Sequence, residues 1–189
     1  VRKIKVGKSA LKVALKDGRL TTELTEMALY NGNGKAKLTA DGAARVPAVT
    51  ANFDLAGLQA NPALSDAIGM DKLEGTLNAN MTLAASGASQ RAMVSALGGN
   101  GKVAFANGAI RGINVAALVR NVQDVFLNPK AMEQQKTDFA ELSGTFTIKD
   151  GIAHNDDLSL QSPLLRVAGK GTVDIPKQTV NYRIEPKVV

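Results

Sequence analysis

Along most of the chain apolar and polar residues alternate with the two-residue period of half-buried β-strands. Leu11, Val13 and Leu15 share one face, with Lys12 and Lys16 on the other. Val49, Ala51, Phe53 and Leu55 repeat the pattern. Leu77, Ala79, Met81 and Leu83 face one way, and Thr76, Asn78, Asn80 and Thr82 the other. Val103 with Phe105, Phe146 with Ile148, Leu158 with Leu160, and Val180, Tyr182 and Ile184 continue it to the end of the chain. Asp-Gly pairs at 17–18, 41–42 and 150–151, and Asn-Gly pairs at 31–32, 33–34, 100–101 and 107–108, are residues that accept the positive φ angles of tight hairpins. Strands joined by tight turns are antiparallel neighbours, so the pattern predicts a meander of roughly ten strands.

Three stretches break the alternation. Residues 61–70 open on Asn61-Pro62 and close on Gly69, which predicts a short helix. Residues 89–98 predict a second, with Ser89 as N-cap and Gly98 as its stop. The third and longest is predicted over 113–127, with Asn114 as N-cap. Its apolar residues Val115, Leu118, Val119, Val122 and Phe126 keep the three/four spacing, and Asn128-Pro129 ends it. Residues 130–135, KAMEQQ, read as a loop or lid. The fold class expected is mainly β (α+β): a long curved antiparallel β-meander with two or three short helices, the longest packed on the apolar face. Residues 1–60 read as the end of a repetitive β region and 61–189 as a second region.

One strand poses a problem. LRVAGKGTVDI, Leu165 to Ile175, alternates well, yet Gly169 and Gly171 fall on its apolar face beside Leu165, Val167 and Val173. A phosphate-binding loop would need a glycine five residues before a Gly-Lys pair. For the pairs at 7–8, 34–35, 101–102 and 169–170 that position holds Arg2, Leu29, Ala96 and Leu164. No G-x-G in the chain gains its third glycine. The two glycines are therefore expected to serve close packing, with the helix 113–127 as the element brought near.

Composition narrows the chemistry. The chain has 189 residues, 44% of them hydrophobic, enough to bury a core, but only 4% are aromatic and there is no Trp. Cysteine is absent, which excludes disulfides and thiolate chemistry. The net charge of +6 is spread over alternating strands rather than clustered beside aromatics, so nucleic acid is not an expected partner. There is no apolar run long enough to span a bilayer, and the opening VRKIKV lacks a signal pattern. Val1 is thus expected to be an internal residue of a longer protein. His154 is the single histidine. A metal set drawn from His154, Asp156 and Asp157 lacks the ligands zinc or calcium wants, so no metal and no cofactor are expected. A catalytic triad would have to use His154, and no G-x-S-x-G elbow is present. Glu23 with Glu26, and Asp156 with Asp157, read as solvated pairs. The chain is expected not to be an enzyme.

Three longer stretches have a family likeness: Gly108-Ala-Ile-Arg-Gly-Ile-Asn114, Leu142-Ser-Gly-Thr-Phe146 before an Asp-Gly turn, and Ser162-Pro-Leu-Leu-Arg166 leading to Gly169-Lys-Gly171. With their surroundings, over about 72–189, they resemble the C-terminal region of the AsmA-like family. Residues 1–60 are similar to the repetitive β region that precedes it there. The resemblance implies a periplasmic module of a Gram-negative envelope protein, tethered to the inner membrane by an N-terminal anchor absent from this chain. It also implies a curved sheet with an apolar groove, involved in moving phospholipid between inner and outer membrane and in outer-membrane assembly. Phospholipid acyl chains are then the expected ligand, and an envelope protein a possible partner. The residues expected to face lipid are Leu77, Met81, Leu83, Val103, Phe105, Phe146, Ile148, Leu165, Val167 and Val173. The alternative reading is a protein-interaction, assembly or cap module that docks to an envelope partner, with its apolar face filled.

Overall fold

In the computed structural model, which describes residues 4–112 and 136–189, ten strands form one sheet whose spatial order is the sequence order. They are β1 (Ser9–Lys16), β2 (Arg19–Leu29), β3 (Gly32–Asp41), β4 (Ala48–Gln59), β5 (Thr76–Ser86), β6 (Gly98–Arg111), β7 (Lys136–Lys149), β8 (Ile152–Gln161), β9 (Leu165–Asp174) and β10 (Thr179–Val188). Every neighbouring pair is antiparallel. The sheet is open and curved. Nine gaps of about 4.8 Å give it a length of roughly 43 Å across the strands. Pairing is unbroken through residue 60, because β4 pairs directly with β5.

The turns refine the expected use of glycine. Asp17-Gly18 and Asp150-Gly151 are tight hairpin turns, with φ of 50° and 75°, and of 50° and 74°. The turn between β2 and β3, however, is made by Tyr30 and Asn31, with φ of 48° and 64°, and Gly32 already begins β3. The pairs at 33–34, 100–101 and 107–108 are not turns at all but lie inside β3 and β6. The reason is packing: the Gly34 position is crowded by Leu55 and Met27, and the Gly108 position by Phe139.

Two short helices are described. The first, α1 (Ala60–Ile68), ends on Gly69 in the left-handed conformation as expected, but starts from Gln59 without a side-chain cap. The second, α2 (Gln90–Ser95), is capped by the Ser89 hydroxyl, which accepts from the Ala92 N–H. The helix expected at 113–127, its packing on the apolar face, and the loop at 130–135 lie outside the described residues.

Cross-strand partners point to the same side of a sheet, so the register assigns faces. Leu24, Ala36, Phe53, Met81, Gly101 and Phe146 form one continuous row from β2 to β7. Gly171 pairs with Tyr182, and Gly169 with Ile184, on the same face. One face is thus apolar over all ten strands. The other carries an uninterrupted polar row, Lys12, Glu23, Lys37, Asn52, Thr82, Asn100, Thr147, His154, Thr172 and Asn181.

The apolar face is covered unevenly. The α1 rim of the sheet carries the turn 30–31, the segment 60–75 and the connection 162–164. The α2 rim carries the turns 17–18 and 150–151 and the connections 42–47, 87–97 and 175–178. Ala60 and Ala63 of α1 pack with Met27, Leu29, Leu58, Leu77, Phe105, Phe139 and Leu160, all near the α1 rim. The Tyr30 hydroxyl donates to Asp66 at 2.9 Å and ties the helix to the β2–β3 turn. Toward the α2 rim Ala51 and Ala153 are buried, but the larger side chains of the same face are half-buried or exposed, and Leu15 is 73% exposed.

This asymmetry has a direct consequence for stability. Leu58 is 2% exposed, so Leu58→Ala should cost about 2–5 kcal/mol in chemical denaturation. Leu15→Ala should stay within about 0.5 kcal/mol.

Candidate functional site

All ten residues expected to face lipid lie on the apolar face, and the structure divides them into two groups. Leu77, Phe105 and Leu165 are buried at the α1 rim. They are core, held under α1 or at the rim-side end of β9, and have no surface to offer a ligand. Met81, Leu83, Val103, Phe146, Ile148, Val167 and Val173 are half-buried; all but Val167, which lies near the α1 end of β9, are in mid-strand or toward the α2 rim. Around them Val49, Phe53 and Ala85 are also half-buried, and Leu20 and Leu38 are exposed. At the two ends of the sheet Leu11, Val13, Val180, Ile184 and Val188 of the same face are exposed. The candidate surface is therefore an apolar strip that crosses every strand.

Gly169 and Gly171 have a definite role in this strip. A Cβ at Gly169 would stand 2.9 Å from Leu158 Cδ2 and 3.0 Å from Ile184 Cδ1. A Cβ at Gly171 would meet the Asn181 carbonyl and stand 2.8 Å from Tyr182 Cδ2. Among the described residues, the space these glycines leave is thus taken by side chains of β8 and β10 rather than by a helix. The device recurs. Gly101 pairs with Met81, whose Cγ lies 2.8 Å from the missing Cβ, and Gly34 makes room for Leu55 in the same way. Large side chains lie down over glycines on neighbouring strands, which keeps the face thin and smooth.

Irregularities on the even-numbered strands were not expected from the sequence. The register slips between Leu24 and Met27 in β2, between Leu55 and Leu58 in β4, and between Asn155 and Leu158 in β8. In β6, Asn107 has φ of 50°. Such bulges add one residue to a strand, bend it and increase its twist. Their loose backbone groups are met by polar side chains. Asn78 accepts from the Gly57 N–H at 3.0 Å. Asp157 accepts from the Thr145 N–H and from the Thr145 hydroxyl, both at 2.8 Å, and from Asn155 Nδ2 at 2.8 Å. Asn155 also donates to the Thr145 carbonyl and is 2% exposed. Asp157, first considered with His154 and Asp156 as a metal set, is thus occupied with the bulge. Among the described residues no group of three or more His, Asp or Glu is placed to hold a metal. Glu23 is bonded to Lys37, not paired with Glu26.

The AsmA family model matches residues 2–158, and the chain belongs to this family. The match begins near the start of the chain and ends in β8, so the β region over 1–60 is part of the family pattern. No curated protein and no solved structure matches the chain. Among the described residues no helix is long and apolar enough to cross a membrane.

The bulge in β8 makes stability depend on pH. The amide and hydroxyl of Thr145 stabilise the Asp157 carboxylate and hold its pKa below the ordinary 3.8. A carboxyl group with a lowered folded-state pKa contributes stability above its unfolded pKa and loses it as the pH falls through the folded one. Wild type should therefore lose more stability than Asp157→Asn between about pH 5 and pH 3. Urea midpoints at both pH values check this, and equal losses would remove Asp157 from the account.

Proposed function

We propose that this chain is a non-enzymatic lipid-handling module of a Gram-negative envelope protein, whose apolar sheet face carries phospholipid acyl chains. It works in the periplasm, tethered to the inner membrane in the full-length protein, as part of a path toward the outer membrane. The observation that carries this reading is the apolar strip that crosses all ten strands and, among the described residues, leaves its larger side chains half-buried or exposed toward the α2 rim. Burial of acyl chains supplies roughly 0.8 kcal/mol per CH₂ without any directed polar contact. A strip that binds by this means needs no motif. Membership in the AsmA family supports the envelope setting.

The path runs over the half of the face nearer the α2 rim. Leu20, Leu38, Phe53, Met81, Leu83, Phe146, Ile148 and Val173 line it. Leu77, Phe105 and Leu165 serve it only by holding the sheet in shape. A charge placed on the path should disturb lipid more than fold, because these side chains retain contact with solvent. A charge at Phe105 would be buried and would unfold the protein.

The covered α1 rim favours a second reading, a cap or docking module on a conduit built elsewhere, and one experiment separates the two. The protein is purified from a bacterial envelope and weighed intact under native conditions, with extraction of bound lipid. Near-stoichiometric phospholipid is expected, reduced at least several-fold by Met81→Asp or Leu83→Asp in variants whose circular dichroism is unchanged. A folded wild type free of lipid would transfer the proposal to the docking reading. Lipid retained by both variants would place it elsewhere on the molecule.

A further inference from the structure

We infer that α1 is a lid, latched by the hydrogen bond between Tyr30 and Asp66, whose lifting opens the covered half of the apolar face to acyl chains. The gating role rests on the acyl-chain reading above; the latch does not.

The first argument is the residue that makes the latch. Tyr30 stands in a tight hairpin turn with φ of 48°, where a bulky side chain is strained and Asn, Asp or Gly is relaxed. The turns at 17–18 and 150–151 use Asp and Gly at their positive-φ positions. A strained residue that a smaller one would relieve points to a task for its side chain. The Tyr30 ring packs against the buried cluster. Its hydroxyl donates to Asp66 Oδ2 at 2.9 Å and accepts from the Lys5 N–H at 3.0 Å.

The second argument is how little else holds the far end of the helix. Its first turn is pinned by the backbone: the Gln59 N–H donates to the Tyr30 carbonyl at 2.8 Å, and the Ala60 N–H to the Gly75 carbonyl at 2.9 Å. Past Asp66 the chain is exposed from Ala67 to Lys72, with Ile68 61% and Met70 37% exposed, until Leu73 is buried again. Asn61 bonds only within the segment, to the Asp71 carbonyl. Among the described residues Tyr30–Asp66 is the one side-chain hydrogen bond that joins α1 to the sheet. The buried residues of α1 are Ala60 and Ala63, and a methyl group contributes little apolar area. Leu64 adds a half-buried contact.

The third argument is what lies beneath. Leu58, Leu77, Phe105 and Phe139 belong to the cluster that α1 covers. Leu77 shares β5 with Met81, and Phe105 shares β6 with Val103, so the covered side chains continue the open strip along the same strands. With α1 down they are core. With α1 raised about its pinned first turn, the strip widens along β5 and β6 without any strand leaving the sheet. Such an opening is local, at a free energy below that of global unfolding.

Hydrogen exchange on the whole chain reads the latch without lipid. In wild type the amides of Leu64 to Gly69 should exchange through an opening that leaves β5 and β6 protected. Tyr30→Phe keeps the ring and removes the hydroxyl, whereas Asp66→Ala keeps the contact between Tyr30 and Lys5. Each should speed exchange of these amides about five-fold, the worth of one hydrogen bond, with β5 and β6 unchanged. Amides of α1 that exchange only together with β5 and β6 would overturn the lid, and so would wild-type rates in both variants. Transfer of fluorescent phosphatidylglycerol from vesicles reads the gate. The chain has no cysteine, so Tyr30→Cys/Asp66→Cys can be bridged by a short bifunctional thiol reagent. The unbridged pair should take up lipid faster than wild type, and bridging should slow it at least several-fold. Equal uptake by bridged and unbridged forms would end the gating role and leave the acyl-chain reading standing. No uptake by any form would remove that reading and the gating together, with exchange still deciding whether α1 opens.

Discussion

An open sheet with nearly all its large apolar side chains on one face cannot be finished by its own strands. A sandwich would bring a second sheet, and a barrel would close the sheet on itself. This ten-stranded meander does neither. Its stability has to come from what covers part of one face, and its function from what leaves the rest uncovered. In the described residues the cover is α1 and the row of Leu58, Leu77, Phe105, Phe139 and Leu160 beneath it. A single rim is enough because each strand crosses from that rim to the other. Its buried end fixes register, while its far end remains available. A one-residue slip would turn the whole apolar set of a strand to the polar side, so the core row also decides which side chains reach the open half.

The second constraint is the depth of the face. Leucine, methionine and phenylalanine standing upright on adjacent strands would fill a concave surface. Glycines set opposite them prevent this. Met81 lies over Gly101, Tyr182 over Gly171 and Ile184 against Gly169. Bulges in β2, β4 and β8 bend the strands further, and Asn78 and Asp157 satisfy the backbone groups the bulges loosen. Each device costs local regularity, and together they give curvature with a low lining. The scarcity of aromatic residues, noted first as a matter of composition, has the same meaning.

Much of this was legible in the sequence. Alternation gave the strands and their faces, and sequential antiparallel order followed from the short connections. Gly69 and Ser89 marked helix boundaries correctly because a left-handed C-terminal residue and a hydroxyl cap are local requirements. Asn-Gly pairs misled at 33–34, 100–101 and 107–108, since a glycine needed for room inside a sheet looks the same as one needed for a turn. The bulges were written in the sequence as slips of parity. Leu20 and Leu24 are followed by Met27 and Leu29, and Val49 to Leu55 by Leu58. Ala153 and Asn155 give way to Leu158 and Leu160 across Asp156-Asp157. The division of the ten expected lining residues into core and open strip was not legible. It depends on which rim α1 covers, and alternation is the same on both sides of that line.

The lack of any catalytic or ligand motif acquires a physical reason from this arrangement. A motif is the trace of directed contacts, and directed contacts fix a ligand in place. A surface along which lipid moves must bind weakly and repeatedly, with similar energy at each step, or the cargo would stop at the strongest site. Apolar burial has that character, because it depends on area rather than direction. An apolar strip that crosses ten strands is what such a requirement looks like when it is met by side chains that carry no signature of their own.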